Sequence, residues 1–447
     1  MRKSASLLVG NGRVITHDDR RPFFEDGAAA IVDGLIAEVG PTEAMRTAHP
    51  GLRFLDARGR VIMPGLINAH THLYSAFARG ITLKDTAPSN FNQILERLWW
   101  RLDKALTLDD VYWSAMAGMI DCIRNGVTTI FDHHASPHAV AGSLFRIAEA
   151  AEQTRMRACL CYEVSDRDGG KIAEQGIEEN RALIEHCNHL PHGRLRGLFG
   201  LHASFTLSDE SLARCREAAA ACDAGFHVHT AEALSDVDHC LREHRMRVVE
   251  RWNEFGILGE QTLAAHCVHL SNREIDLLCE TGTRVVHNPQ SNLANAVGCA
   301  PVFEMMCRGV RVGLGTDAFT ADMFESLKAA NLLAKHQSGD PRTGWCEPPQ
   351  MLFRENAEIA SRRFGRQIGK LVPGAVGDLI LVDYDPPTPL GAGNLHGHIL
   401  FGFSGHTVAT TIIGGEVVME NRRLCPIDEQ AVMADARAAA AELWKRF

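Results

Sequence analysis

Two histidines spaced by one residue, His70 and His72, follow the strand-like run Val61-Ile62-Met63 and a Pro64-Gly65 break. On extended backbone, residues i and i+2 point to the same side. Two imidazoles on one side of a strand end are half of a metal site. The pair alone is common in ordinary loops. What strengthens it is a set of similar groups far along the chain, each at the end of a strand-like run. Asp132-His133-His134, His202, His227-Val228-His229-Thr230-Ala231-Glu232, His266, His287-Asn288-Pro289 and Thr316-Asp317 all stand in that position. Histidine and aspartate are seldom buried without a partner or a role, so this repetition at strand ends argues for one shared site.

The elements that must position these groups come next. From about residue 66 to 365 strand and helix patterns alternate, with eight strand runs starting near residues 66, 127, 157, 197, 225, 263, 284 and 312. Helical patterns lie between them, including one that starts at Thr107-x-x-Asp110 and stops at Gly126. Eight such units specify a closed parallel (β/α)8 barrel, whose active site lies at the C-terminal ends of the strands. The chain ends read differently. Two short strands broken at Asn11-Gly12, a hairpin across Asp33-Gly34 and a second across Gly414-Gly415 are β patterns, and residues 428–446 form a terminal amphipathic helix. The expectation is an α/β protein: a (β/α)8 TIM barrel over 61–370 with a small β-sandwich domain built from 1–60 and 371–447.

Composition narrows the function. The 447 residues carry 45% hydrophobic side chains and a net charge of −9 without a basic cluster, which disfavours nucleic-acid partners. No apolar run is long enough to span a bilayer, and Met1-Arg2-Lys3-Ser4 leads into polar sequence without the apolar core of a signal peptide. Thirteen cysteines without a paired framework read as reduced thiols of a cytoplasmic protein, most of them small core residues.

The string Pro64-Gly65-Leu66-Ile67-Asn68-Ala69-His70-Thr71-His72 resembles the opening motif of the amidohydrolase superfamily. His227 to Glu232, the lone His266 and Gly315-Thr316-Asp317 resemble its later motifs, in the branch of nucleobase and triazine deaminases and chlorohydrolases. Leu98 to Asp103, Asp132 to Pro137 and Cys161 to Asp168 resemble more narrowly the SsnA aminohydrolases, associated with purine metabolism.

The resemblance implies a divalent metal on His70, His72, His229 and Asp317. Three neutral nitrogens and one carboxylate suit Zn²⁺, or Fe²⁺, with a position left for water. The fourth strand ends Leu201-His202-Ala203-Ser204 without a lysine to bridge two metals, so one metal is expected. Glu232, three residues after His229, is the expected proton shuttle, His266 the group that polarises the electrophile, and Asp317 shares in proton handling. His202, His133 and Trp99 are candidate substrate contacts. Trp99 and Trp100 are adjacent on a helix, so at most one is expected to reach the pocket. His227 is expected to support the site rather than ligate the metal.

The expected reaction is hydrolytic deamination of a purine-like N-heterocycle. Ring opening of a cyclic amide or ureide is the alternative, with triazine chlorohydrolysis and a non-catalytic metal-binding scaffold behind it. The expected partner is a small molecule, with neither nucleic acid nor membrane, and the family resemblance implies a homodimer or higher homo-oligomer.

Overall fold

Hydrogen bonding divides the strands between one mixed sheet and a ring of parallel strands. The computed structural model describes residues 6–190 and 193–447, so the Met1–Ser4 run lies outside the described residues. The mixed sheet takes β1 (Leu7–Ile15), β2 (Phe23–Val32), β3 (Leu35–Gly40), β4 (Arg53–Asp56) and β5 (Val61–Pro64) from the N-terminal end. The ring holds β6 (Leu66–Thr71), β7 (Val127–His134), β8 (Arg157–Tyr162), β9 (Leu195–Gly197), β10 (Phe199–Leu201), β11 (Phe226–Thr230), β12 (Leu263–His266), β13 (Arg284–His287) and β14 (Val312–Leu314). Strands β15 (Leu379–Val382), β16 (Val408–Ile413), β17 (Glu416–Glu420) and β18 (Arg423–Leu424) return to the mixed sheet.

The two chain ends meet where β5 pairs antiparallel with β15, giving the order β18-β17-β16-β15-β5-β1-β2-β3 with β4 beside β1. The five N-terminal and four C-terminal strands together make one nine-stranded sheet. Strand β1 runs continuously through Asn11-Gly12, where a break into two strands is expected from sequence. Its register with β2 shifts on both sides of Gly12, and Asn11 sits at φ 58°, so the turn-like dipeptide makes a bulge within one strand.

The ring is the expected eight-stranded barrel, with its fourth strand interrupted at Leu198 into β9 and β10. It closes on both sides. Leu198 N–H donates to Leu160 O at 3.0 Å beside β8, and Thr316 and Asp317 N–H donate to His70 O at 3.1 and 2.9 Å, which joins the end of β14 to β6. The helix Leu108–Arg124 starts at a complete capping box between Thr107 and Asp110. The terminal helix Glu429–Arg446 is capped by Asp428. No helix among the described residues is long and apolar enough to cross a membrane.

One side chain ties the first and last barrel strands together. Fully buried Asn356 donates through Nδ2 to Ile67 O and Leu314 O, both at 2.7 Å, and accepts Leu314 N–H at 2.8 Å through Oδ1. Replacing it with a similar-sized apolar residue leaves three buried backbone groups without partners, at about 1–3 kcal/mol each. Asn356→Leu is predicted to lower unfolding stability by roughly 2–5 kcal/mol. Denaturant titration checks this, and a loss below about 1 kcal/mol would mean that the clamp does not hold the barrel closed.

Candidate metal centre and active-site cavity

Period-two alternation places the first donors. His70 and His72 leave the end of β6 toward the barrel axis, and His229 leaves β11 beside them. The His72 and His229 Nε2 atoms lie 3.2 Å apart, and Asp317 Oδ1 is 3.1 Å from His72 Nε2 and 3.7 Å from His70 Nε2. Gly315 permits this approach: a Cβ there would meet Asn288 Oδ1 at 2.4 Å and His70 O at 2.9 Å.

The hydrogen on each imidazole is fixed by what lies behind it. His72 Nδ1–H donates to His133 O at 2.5 Å, His229 Nδ1–H to His202 O at 3.2 Å, and His70 Nδ1–H to His227 Nε2 at 2.9 Å. In the neutral rings all three Nε2 lone pairs therefore point inward, toward a carboxylate that also carries only lone pairs. His70 Nε2 is buried and has no hydrogen-bond partner. This donor set fits a divalent cation, as the groupings His70–His72–His229 and His70–His266–Asp317 do by distance. Asp317 attracts a proton to the same place: burial lowers the pKa of His72, but the Asp317 hydrogen bond and charge outweigh it and raise it to about 9, so a cation displaces that proton from Nε2. Asp317 is held well below the usual carboxylate range: burial pushes it up, and His72, His266 and the Ser291 hydroxyl pull it down further.

His266 ends β12 with φ +71°, and Asp317 follows β14 with φ +56°, both in the left-handed region that non-glycine residues avoid. His266 Nδ1–H donates to Asn292 Oδ1 at 2.8 Å, and its buried, unpartnered Nε2 lies 3.6 Å from Glu232 Oε2 and 3.8 Å from Asp317 Oδ2. Glu232 accepts a hydrogen bond from Asn295 at 3.3 Å. Burial raises its carboxyl to about 6, with His266 opposing and Asp317 adding to the rise.

A cavity opens over these groups, lined by His72, His229, Glu232 and Asp317 on one side and by Glu163 and His202 on another. Trp99 and Trp100 both line it, against the expectation of at most one. They stand where a wide helical turn, Leu95–Trp99, passes into the helix Trp100–Ala105, so the spacing of an ordinary helix does not apply. The 84–103 segment also brings Phe91, Leu95 and Asp103 to the wall. Arg167 pairs with buried Asp103 and lies 5.2 Å over the Trp100 ring.

His133 sits behind the wall rather than on it: Nε2–H donates to Leu201 O and His227 O, and its Nδ1 faces Glu163 at 3.3 Å. His134 bonds Ser136, and His287 lines a different cavity. His227, two residues before His229 and so on the same side of β11, supports His70 from behind. Sequence reading missed Glu163, Asn292, Asn295 and Ser291. Glu163 directly follows β8, and a survey of strand ends for carboxylates as well as histidines finds it. The other three lie on the short helix Pro289–Ala294 or just beyond it, one turn past a strand end.

A family model described as the amidohydrolase family matches residues 61–418, and one described as an imidazolonepropionase-like composite domain of bacteria matches 30–51. The 5'-deoxyadenosine deaminase of Methanosarcina mazei is 32% identical over 450 residues, covering 99% of this chain and 99% of that protein. A 5-methylthioadenosine/S-adenosylhomocysteine deaminase of Syntrophobacter fumaroxidans is 35% identical over 445 residues, covering 98% of each. The crystal structure of an adenosine deaminase from Xanthomonas campestris with bound zinc superposes with a TM-score of 0.85 at 25% identity, covering 99% of both chains. With the family model spanning most of its length and the same barrel-end histidines brought together, the chain belongs to the amidohydrolase family.

Proposed function

We propose that this chain hydrolytically deaminates a purine-like N-heterocycle, with one divalent metal held by His70, His72, His229 and Asp317. The observation that carries the reading is the convergence of three imidazole lone pairs and a carboxylate beside a second, separate carboxylate, Glu232. When bound there, a metal such as Zn²⁺ lowers the pKa of a coordinated water from 15.7 to about 7.

The chain's own residues divide the rest. Glu232 takes a proton from the attacking water as its oxygen bonds to the amino-bearing ring carbon. His266, facing the same point, polarises the carbon under attack in its doubly protonated form, with Nδ1–H on Asn292 and the second hydrogen on Nε2. The C–N bond then breaks with its electron pair on nitrogen, and Glu232 returns the proton, so that ammonia leaves. The aromatic wall of Trp99 and Trp100 suits a planar ring. Relatives named for adenine-type nucleosides make these the first compounds to assay.

The finer reading is an SsnA-type aminohydrolase, cytoplasmic and homo-oligomeric. Its three characteristic segments support it by meeting at one place: Trp100 and Asp103 from the first, His133 from the second, Glu163 and Arg167 from the third.

Elemental analysis of protein purified without chelator is expected to find one metal per chain and its loss in His72→Ala; two metals, or undiminished binding in the variant, would sink the assignment. Glu232→Gln should keep the metal and lose about 10²–10⁴-fold in turnover. Activity within a factor of two of the parent would remove Glu232 from the chemistry. Mass spectrometry of the product should show the ring intact and free ammonia released; gain of one water with no ammonia would make the enzyme a cyclic amidohydrolase instead.

A further inference from the structure

The same cavity holds a second cluster that the deamination chemistry does not use. Glu163 lies 3.3 Å through Oε2 from His133 Nδ1 and 3.8 Å through Oε1 from His202 Nε2. Neither neutral ring offers it a hydrogen. His133 carries its hydrogen on Nε2, between the Leu201 and His227 carbonyls at 3.2 and 3.1 Å, so Nδ1 keeps a lone pair. Thr206 Oγ1 gives its own hydrogen to Ala203 O at 3.1 Å and accepts His202 Nδ1–H at 2.6 Å, so His202 Nε2 also keeps a lone pair. His133 Nδ1 is buried without a hydrogen-bond partner among the described residues.

Two ring nitrogens and a carboxylate thus meet with acceptors only. Buried acceptors without donors are costly, and the cost is relieved when a donor enters. The neighbouring cation Arg167 is turned to Asp103 and Asp168. Position says what the donor belongs to. The ligand atoms of His133, Glu163 and His229 all lie within 4.8 Å of one another. A ring whose reacting carbon sits beside His229 therefore presents its own edge to Glu163, not a substituent further out.

We propose that Glu163, backed by His133 and His202, is a specificity-determining residue that accepts N–H donors from the edge of the substrate ring. The substrate class is then an amino-bearing N-heterocycle with a ring N–H or second amino group on that edge, as in oxo- and diaminopurines and pterins. An adenine-type nucleoside offers mostly acceptors there. This deepens the deamination reading and rests on it.

The test uses two matched pairs: guanine against 1-methylguanine, in which the ring N–H becomes N–CH3, and 2,6-diaminopurine against adenine, which loses the amino donor without added bulk. Sites built to hydrogen-bond a substrate group reject analogues lacking it by up to about 10⁴–10⁵-fold. The expected result is a preference of at least about 10²-fold in kcat/KM for ammonia release from one donor-bearing member over its partner. Glu163→Gln should remove most of that preference, with a larger loss on the donor-bearing member of the pair than on its partner. A wild-type preference under threefold in both pairs, or equal losses on both members in Glu163→Gln, would overturn the proposal. Should no purine release ammonia, the deamination reading fails on its own, and calorimetric binding of the same pairs to the wild-type chain still decides the role of Glu163. Two metals in the wild type and one in Glu163→Gln would also overturn it, by assigning the cluster to a second cation. A variant that fails to melt cooperatively leaves the wild-type pair preference as the deciding measurement.

Discussion

Lone pairs facing lone pairs set the terms for this molecule. Three imidazoles spend their only hydrogens on groups behind them: a backbone carbonyl for His72, another for His229, and His227 for His70. What remains in front is a surface of acceptors joined by Asp317. Bringing such groups within 3.1–3.7 Å is unfavourable unless positive charge sits among them. The barrel supplies the force that holds them there. Its closure between β6 and β14, fastened by Asn356 and by two N–H groups donated to His70 O, fixes His70 and Asp317 against each other. Because each hydrogen is locked from behind, the rings cannot turn to relieve the conflict, and the site is organised before any ligand arrives.

The backbone carries part of the same load. Ala231, His266, Cys267 and Asp317 all have positive φ, and all lie at or just past the C-terminal ends of β11, β12 and β14. Each costs on the order of 1–3 kcal/mol and persists only where surrounding bonds over-determine it. Those bonds are present. Cys267 N–H reaches Thr230 O, and Val268 and His269 N–H share Ala231 O, so the ends of β11 and β12 are laced together. The strained turns aim His266 and Asp317 at Glu232, and the regular strands below them provide the offsetting burial.

Much of this was legible in the sequence because its signals are periodic. Spacing of two puts His70 and His72 on one face of β6, and His227 and His229 on one face of β11, where His227 supports His70. The eight strand runs and their alternation with helices announce the barrel. What escaped depends on tertiary contact or on local departures from regular geometry. Asn11-Gly12 reads as a turn, yet neighbours on both sides keep β1 continuous and turn it into a bulge. The widened turn before Trp100 brings two adjacent tryptophans to one cavity. Asn292 and Asn356 are ordinary helical asparagines until folding sets them against His266 and against two strands. Glu163 escaped for another reason: histidine marks metal chemistry, and a lone carboxylate after a strand usually faces water.

Of the five carboxylates that line the cavity, Asp317, Glu163 and Glu232 have surroundings that separate their roles. Asp317 takes a hydrogen bond from Ser291 and faces His70, His72 and His266, so it stays ionised and suits cation binding. Glu163 is also kept well below the usual carboxylate range: burial would raise it, and His202 and His133, each in its protonated form, together with Arg167 prevail. A carboxylate that stays ionised makes a dependable acceptor and a poor proton carrier. Glu232 differs from both. Burial lifts it to about 6, its His266 neighbour is set against the repelling charge of Asp317, and one long hydrogen bond from Asn295 holds it. A group poised near neutrality can take a proton in one step and release it in the next. The division therefore follows from environment rather than residue type: glutamate serves as shuttle at one wall and as fixed acceptor at the other, because desolvation dominates at Glu232 while charge neighbours dominate at Glu163.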